Sequence, residues 1–163
     1  MDRSTLVRWN TFTIREATFA DLDTVLHHRR SMFLDMGIKD ESALIAMMKT
    51  SKPFFADRLK DGRYRAWLVE NSSHQVVAGS GIIIVDYHSS PADPTPRRPI
   101  IVNVYTESAY RRKGIARQLM KIMIDWCKKE GFGSVLLHAS DEGRPLYEQL
   151  GFKQTNEMRL MLR

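Results

Sequence analysis

A chain of 163 residues with 43% hydrophobic and 27% charged side chains has the size and composition of one folded domain over residues 1–163. Such a chain buries on the order of 70% of its unfolded surface without disulfide or metal staples. The single cysteine, Cys127, excludes an internal disulfide and fits a reducing, cytoplasmic setting, while the N-terminal MDRSTLVRWN lacks the apolar core of a signal peptide and no stretch nears membrane-spanning length. The formal net charge of +6 favours an anionic partner, and the two kinds to separate are a phosphorylated cofactor and a nucleic acid.

In chain order, Thr11–Arg15 alternates apolar and polar residues with the two-residue period of a strand. Leu22, Val25, Leu26, Arg29, Met32, Phe33 and Met36 then recur at helical spacing. They predict a helix over Asp21–Met36, with Thr18 as N-cap, Asp21 as the acid of a capping box and Gly37 as the stop. A second helix is expected over about Asp40–Leu59, interrupted near Pro53, which lacks the donor a helix needs. Asp61-Gly62 turns the chain into a strand at Tyr64–Val69, and Asn71–His74 forms a hairpin turn into a long strand, Val76–Asp86. Within it, Gly79 and Gly81 mark a bulge or a close backbone approach, since Gly79-Ser80-Gly81 lacks the Gly-x-Ser-x-Gly spacing of a nucleophile elbow.

His88–Pro99 (HSSPADPTPRRP) has no periodicity and reads as an irregular loop, too short to divide domains. The β-branched run Ile100–Tyr105 is the next strand. Lys113–Lys129 follows as a helix whose inner face carries Ile115, Leu119, Ile122, Met123 and Trp126. Ser134–Ala139 reads as a buried strand, Glu142–Leu150 as a short helix and Met158–Leu162 as a closing strand. The order β-α-α-β-β-β-α-β-α-β, with a parallel, right-handed crossover at Ile100–Ala139, predicts an α/β fold: a mixed central sheet flanked by helices.

The chemistry concentrates between Ile100 and Phe152. A strand ends in a bend, and the basic turn Arg111-Arg112-Lys113-Gly114-Ile115-Ala116 opens the next helix. Gly114 has no Cβ to obstruct a phosphate, Ala116 keeps the first helical turn slim, and the N–H groups of Arg112 through Arg117 point outward at a positive helix end. Taken alone, the pattern reads equally well as a basic turn that merely begins a helix. One strand further on stands Leu146-Tyr147-Glu148-Gln149-Leu150-Gly151-Phe152, at the spacing of one more α/β unit. Together, Arg111–Ala116 and this segment resemble the GCN5-related N-acetyltransferase (GNAT) family, which carries an Arg/Gln-x-x-Gly-x-Gly/Ala pyrophosphate loop and a tyrosine just before Gly-Phe. The element order fits that family from about Thr13 to Leu162.

The resemblance implies an acetyl-CoA-dependent N-acetyltransferase in which a primary amine attacks the thioester directly in a ternary complex. The amide of Val104 would face the acetyl carbonyl and that of Thr106 the pantetheine arm. The turn formed by Arg111, Arg112, Lys113, Gly114, Ile115, Ala116 and Arg117 would hold the pyrophosphate. Ser140 stands where the family often has an asparagine contacting the CoA arm. Tyr147 would protonate the departing thiolate, a role suited to a phenol of pKa about 10. Glu107, just past the strand, is the candidate base for the amine, against a bland reading as a solvated bend residue; Asn103 could position water, and Ile100 occupies the place where some relatives have a glutamate. The acceptor would be a small molecule or a peptide, and a homodimer is an assembly the family commonly uses.

Two other readings stay open: the same fold using a longer acyl-CoA, and a non-enzymatic basic module that takes nucleic acid on the same turn. Against the second, the basic residues are dispersed rather than laid along one helix, and no strand offers an aromatic stacking face. No membrane partner is expected. No metal is expected either: adjacent His27 and His28 diverge on a helix, His74, His88 and His138 are scattered, and Cys127 has no ligand-spaced partner.

Overall fold

The computed structural model describes residues 6–162. Residues 1–5, half of the stretch read for a signal peptide, and Arg163 lie outside the described residues. Among the described residues six strands form one sheet in chain order: β1 (Val7–Trp9), β2 (Phe12–Glu16), β3 (Tyr64–Glu70), β4 (Val76–Asp86), β5 (Arg97–Thr106) and β6 (Leu136–Leu137). Every neighbouring pair is antiparallel except β5–β6, which is parallel, as a crossover through a helix requires. Helices α1 (Leu22–Asp35) and α2 (Glu41–Asp61) precede β3, α3 (Ile115–Lys129) joins β5 to β6, and α4 (Arg144–Gln149) follows β6. No described helix is long and apolar enough to cross a membrane.

The sheet is covered on both faces. Leu22, Val25, Leu26 and Phe55 of α1 and α2 pack on Tyr64 and Ala66 of β3. On the other face Ile115, Leu119, Met120, Met123 and Cys127 of α3 meet Ile14, Trp67, Val69, Ile82 and Ile101. Burial on both sides explains why Ala66–Val69 reads as a continuous apolar run instead of an alternating one. Leu119, Met120 and Met123 have no exposed surface; at about 1.5–3 kcal/mol each they dominate what holds α3 to the sheet.

The capping box forms as the sequence predicts: the Thr18 backbone N–H donates to Asp21 Oδ2 at 2.8 Å, closing a 3-10 turn (Phe19–Asp21) ahead of α1. The structure differs from expectation in four places. Helix α2 runs unbroken through Pro53 because Leu44 and Phe55, on either side of it, are both buried, and that burial offsets the roughly 3 kcal/mol cost of an internal proline. The buried stripe of α3 includes Met120 and Cys127, while Ile122 and Trp126 are half-buried; Trp126 lies at the rim, tilted against Trp67. Strand β5 begins at Arg97, within the proline-rich loop, and Asp93 pins the remainder by accepting from Ser134 Oγ at 2.7 Å and pairing with buried Arg98 at 3.3 Å.

The fourth difference is at the C-terminal end. The strand expected at Ser134–Ala139 shrinks to two residues, and the one expected at Met158–Leu162 does not form. Met158, Leu160, Met161 and Leu162 are exposed there. A two-residue β6 offers too little paired edge to template another strand. Strand β1 is the opposite case, a pairing too short to show as a pattern in the sequence.

Candidate active site

A bulge in β5 shapes the site. Gly81 pairs with Val102 and Gly79 with Tyr105, so two steps along β4 span three along β5, and Asn103 takes a left-handed φ of +56°. The extra residue reverses the alternation of side chains. Ile101 and Val104 pack toward α3, whereas Val102, Asn103 and Tyr105 face α1 and α2. The glycines of β4 are required by the same crowding: a Cβ at Gly79 would lie 2.8 Å from Leu68 Cδ2, and one at Gly81 would collide with the Tyr64 ring. Of the two expectations drawn from their place in the strand, the bulge is present between Gly79 and Gly81, and the close neighbours are side chains of Leu68, His28 and Tyr64, not backbone.

Beyond the bulge, β5 loses its neighbour. It pairs with β6 only at Ile100 and Ile101, so the edge from Val102 to Thr106 is unpaired on that side. The Glu107 N–H donates to Val77 O of β4 at 2.9 Å. Because successive amides of a strand point to opposite edges, the N–H groups of Thr106 and Val104 point away from β4, into the gap. That gap is a cleft of about 1000 Å³ between α1, β5, the α3 turn and the start of α4.

The α3 turn forms one rim. Arg112 and Gly114 both have left-handed φ, +61° and +81°, which folds the turn so that its amides face one way. Among the described residues, no backbone N–H from Arg112 to Arg117 has a protein acceptor; the first helical bond is Gln118 N–H to Gly114 O at 3.1 Å. Six adjacent donors without partners, at a helix N-terminus beside the cleft, fit a diphosphate. The side chains of the turn are variously engaged: Arg111 donates to Thr106 O at 2.9 Å and pairs with Asp35, Lys113 lies 5.0 Å from the Tyr110 ring, and Arg117 reaches Gln149.

The opposite wall is the β6–α4 connection. Ser140 Oγ accepts from the Gly143 N–H at 3.2 Å and so caps the turn into α4, leaving its hydroxyl proton for the cleft. Tyr147 is 9% exposed, stands edge-on to Phe152, and has no hydrogen-bond partner for its hydroxyl among the described residues. Burial raises its pKa, keeping the phenol protonated at neutral pH. The ring packs over Gly143, where a Cβ would sit 2.7 Å from Tyr147 Cε2. Tyr147 also borders a second hollow of about 700 Å³, together with Ile124, Val135 and Phe152.

The structure separates Glu107 from the other candidates. Its carboxylate does not line the cleft; it accepts from the Tyr105 hydroxyl at 3.2 Å and lies 3.4 Å from His27 Nε2, half-exposed. Asn103, read from sequence as a holder of water, is 3% exposed and spends its amide on Tyr64 Oη (3.2 Å) and on Arg29 Nη1 (3.0 Å). Arg29 and Tyr105 line the cleft and escaped notice as site residues; the available signal was an arginine within the apolar stripe of α1. Cys127 is buried, its thiol pushed up to about 11, and takes no part. Among the described residues no three metal-ligating side chains cluster.

The comparisons with known proteins bear on the same region. The model of the acetyltransferase (GNAT) family matches residues 19–152. Human N-acetyltransferase 8 is 30% identical over 96 residues, 56% of this chain and 39% of that protein, and human N-acetyltransferase 8B matches to the same extent; the chain thus spans about two fifths of the length of these curated relatives. Among solved structures, a GCN5-related N-acetyltransferase from Ralstonia eutropha superposes with a TM-score of 0.88 at 30% identity, covering 93% of this chain and 98% of that one. A predicted acetyltransferase from Clostridium acetobutylicum, crystallised with acetyl-CoA, gives 0.84 at 27% identity over 92% and 95%.

Proposed function

The chain belongs to the acetyltransferase (GNAT) family, and from that premise we propose that it moves an acetyl group from acetyl-CoA to a primary amine of a small molecule or peptide by direct attack. One juxtaposition carries the reading: the edge of β5 that β6 leaves unpaired and the α3 turn, whose Arg112, Gly114, Ile115, Ala116 and Arg117 have amides without a protein acceptor among the described residues, border the same cleft. The likeness to a structure crystallised with acetyl-CoA supports the choice of donor.

The donor supplies an acyl group activated as a thioester and a thiolate leaving group. The Val104 N–H donates to the carbonyl oxygen on which charge develops, a contribution of about 10²–10³ in rate. The Thr106 amide and Ser140 hold the arm of the donor, and the amides of Arg112–Arg117 hold its diphosphate, with the guanidinium of Arg112 and the ammonium of Lys113 adding charge. As the C–N bond forms and the C–S bond breaks, Tyr147 gives its phenolic proton to sulfur and is reprotonated from solvent. The amine arrives neutral, and its surplus proton leaves through the Tyr105 hydroxyl to Glu107 or directly to water. Glu107 is therefore a positioning residue in this scheme, acting through Tyr105.

Calorimetric titration with acetyl-CoA, followed by thiol release with a panel of amines, tests the proposal. Tyr147→Phe is expected to lower kcat by about 10²-fold or more while the acetyl-CoA Kd stays within about twofold. Absence of acetyl-CoA binding would overturn the reading, transfer only from longer acyl-CoAs would change the donor, and an undiminished kcat would remove Tyr147 from the chemistry.

A further inference from the structure

Of the arginines that reach inward, Arg15 is paired with Asp21 and Glu70, Arg65 with Glu16, and Arg98 with Asp93. Arg29, like half-buried Arg58, Arg117 and Arg144, has no carboxylate partner among the described residues, but it is the one of these four whose guanidinium burial works against. Its Nε donates to Ser51 Oγ at 3.1 Å and its Nη1 to Asn103 Oδ1 at 3.0 Å, both neutral acceptors. The rings of Phe33 and Phe55 lie 5.2 and 5.4 Å from its Cζ. Burial lowers its pKa, although a guanidinium stays charged. A half-buried cation held in place by neutral groups and aromatic faces is costly unless an anion completes it.

The open side of that guanidinium faces the cleft. Arg29 lines it, and Nη2 is neither hydrogen-bonded nor sealed from solvent among the described atoms. Arg111, the next cation on that side, is already paired with Asp35. We propose that Arg29 anchors a carboxylate of the acceptor, so that the substrate class is an amino acid or a similar aminocarboxylate. The inference rests on the acetyl-transfer reading and adds to it the chemistry of the acceptor. A carboxylate matches in shape, since two coplanar oxygens meet the Nη1–Nη2 edge, and in charge, since one negative charge balances one guanidinium. A phosphate dianion would need a second cation, which the pairing of Arg111 with Asp35 removes. Asn103, which orients the guanidinium, directly precedes Val104, whose amide faces the cleft. Neighbouring residues of one strand, about 3.8 Å apart at Cα, suit an amine and a carboxylate separated by one or two carbons.

Matched acceptors provide the test. Thiol release is measured with acetyl-CoA and the common amino acids, their amides and their decarboxylated amines, with kcat/KM referred to the unprotonated amine at each pH. At least one acid is expected to exceed its own amide by about 10–100-fold. In Arg29→Met that ratio is expected to fall toward one while calorimetric affinity for acetyl-CoA is retained, and Arg29→Lys should give an intermediate ratio, keeping the charge without the fork. The wild-type comparison of acid with amide needs no variant, so it decides even if Arg29→Met folds poorly. If acetyl-CoA binds and amides or simple amines react as well as the acids, the carboxylate anchor is wrong and the acetyl-transfer reading stands. If acetyl-CoA does not bind, both fall, and transfer to no member of the panel overturns the anchor.

Discussion

His28 shows how a single residue ties stability to the shape of the site. It is 3% exposed, 5.1 Å from the Tyr105 ring, and occupies space left by Gly79. Burial pushes its pKa down to about 4, with His27 adding to the effect and Glu107 opposing it. Between that value and the ordinary value of about 6.5, the unfolded chain takes up a proton that the folded chain refuses. Stability is therefore fully present above about pH 6.5 and declines as the pH falls toward 4, by an amount on the order of 3 kcal/mol at most. Asp21, whose carboxyl is lowered by its bonds with Arg15 and Thr18 against the effect of burial, acts only further down, below the ordinary carboxylate range. Urea midpoints measured from pH 7 to 4.5 are expected to fall in wild type and to fall distinctly less in His28→Asn, whatever the variant's absolute stability. Parallel declines would show that His28 is not the titrating group.

At the scale of elements, the turn before α3 is the part that local sequence describes best, because its function is carried by consecutive amides. Gly114 has φ +81°, and a Cβ there would come 3.4 Å from Trp9 Cη2. Gly114→Val is expected to strain the turn by about 1–3 kcal/mol and to abolish acetyl-CoA binding in calorimetry; unchanged affinity would contradict the phosphate-loop assignment. Other features left weaker traces. The β5 bulge sits inside an unbroken apolar run, where only Asn103, a residue tolerant of positive φ, hints at a break in period. Pro53 misled because helix breaking is a local cost, whereas the burial of Leu44 and Phe55 that outweighs it is tertiary. Met158–Leu162 alternates well enough to read as a strand, but pairing depends on an edge, and β6 supplies two residues.

For the whole molecule, what was hidden is what the fold assembles from distant places. Arg29, Ser51 and Asn103 meet from α1, α2 and β5, 22 and 74 residues apart along the chain, and no spacing in the sequence announces such a triad. The two cores are coupled more visibly. Strand β3 gives Tyr64 and Ala66 to one and Trp67 and Val69 to the other, so loss of either face exposes the strand that supports its counterpart. We accordingly read the chain as one domain that unfolds in a single cooperative transition. A ligand that binds only the folded state adds about 2.7 kcal/mol at a hundred times its Kd, which for a chain of this length is a rise in Tm on the order of 5–10 °C. Calorimetric melts are expected to show one endotherm that acetyl-CoA moves upward and that duplex DNA at low salt leaves in place. Two separate endotherms would divide the domain. A salt-steep shift with DNA, without one from acetyl-CoA, would instead assign the basic turn to nucleic acid.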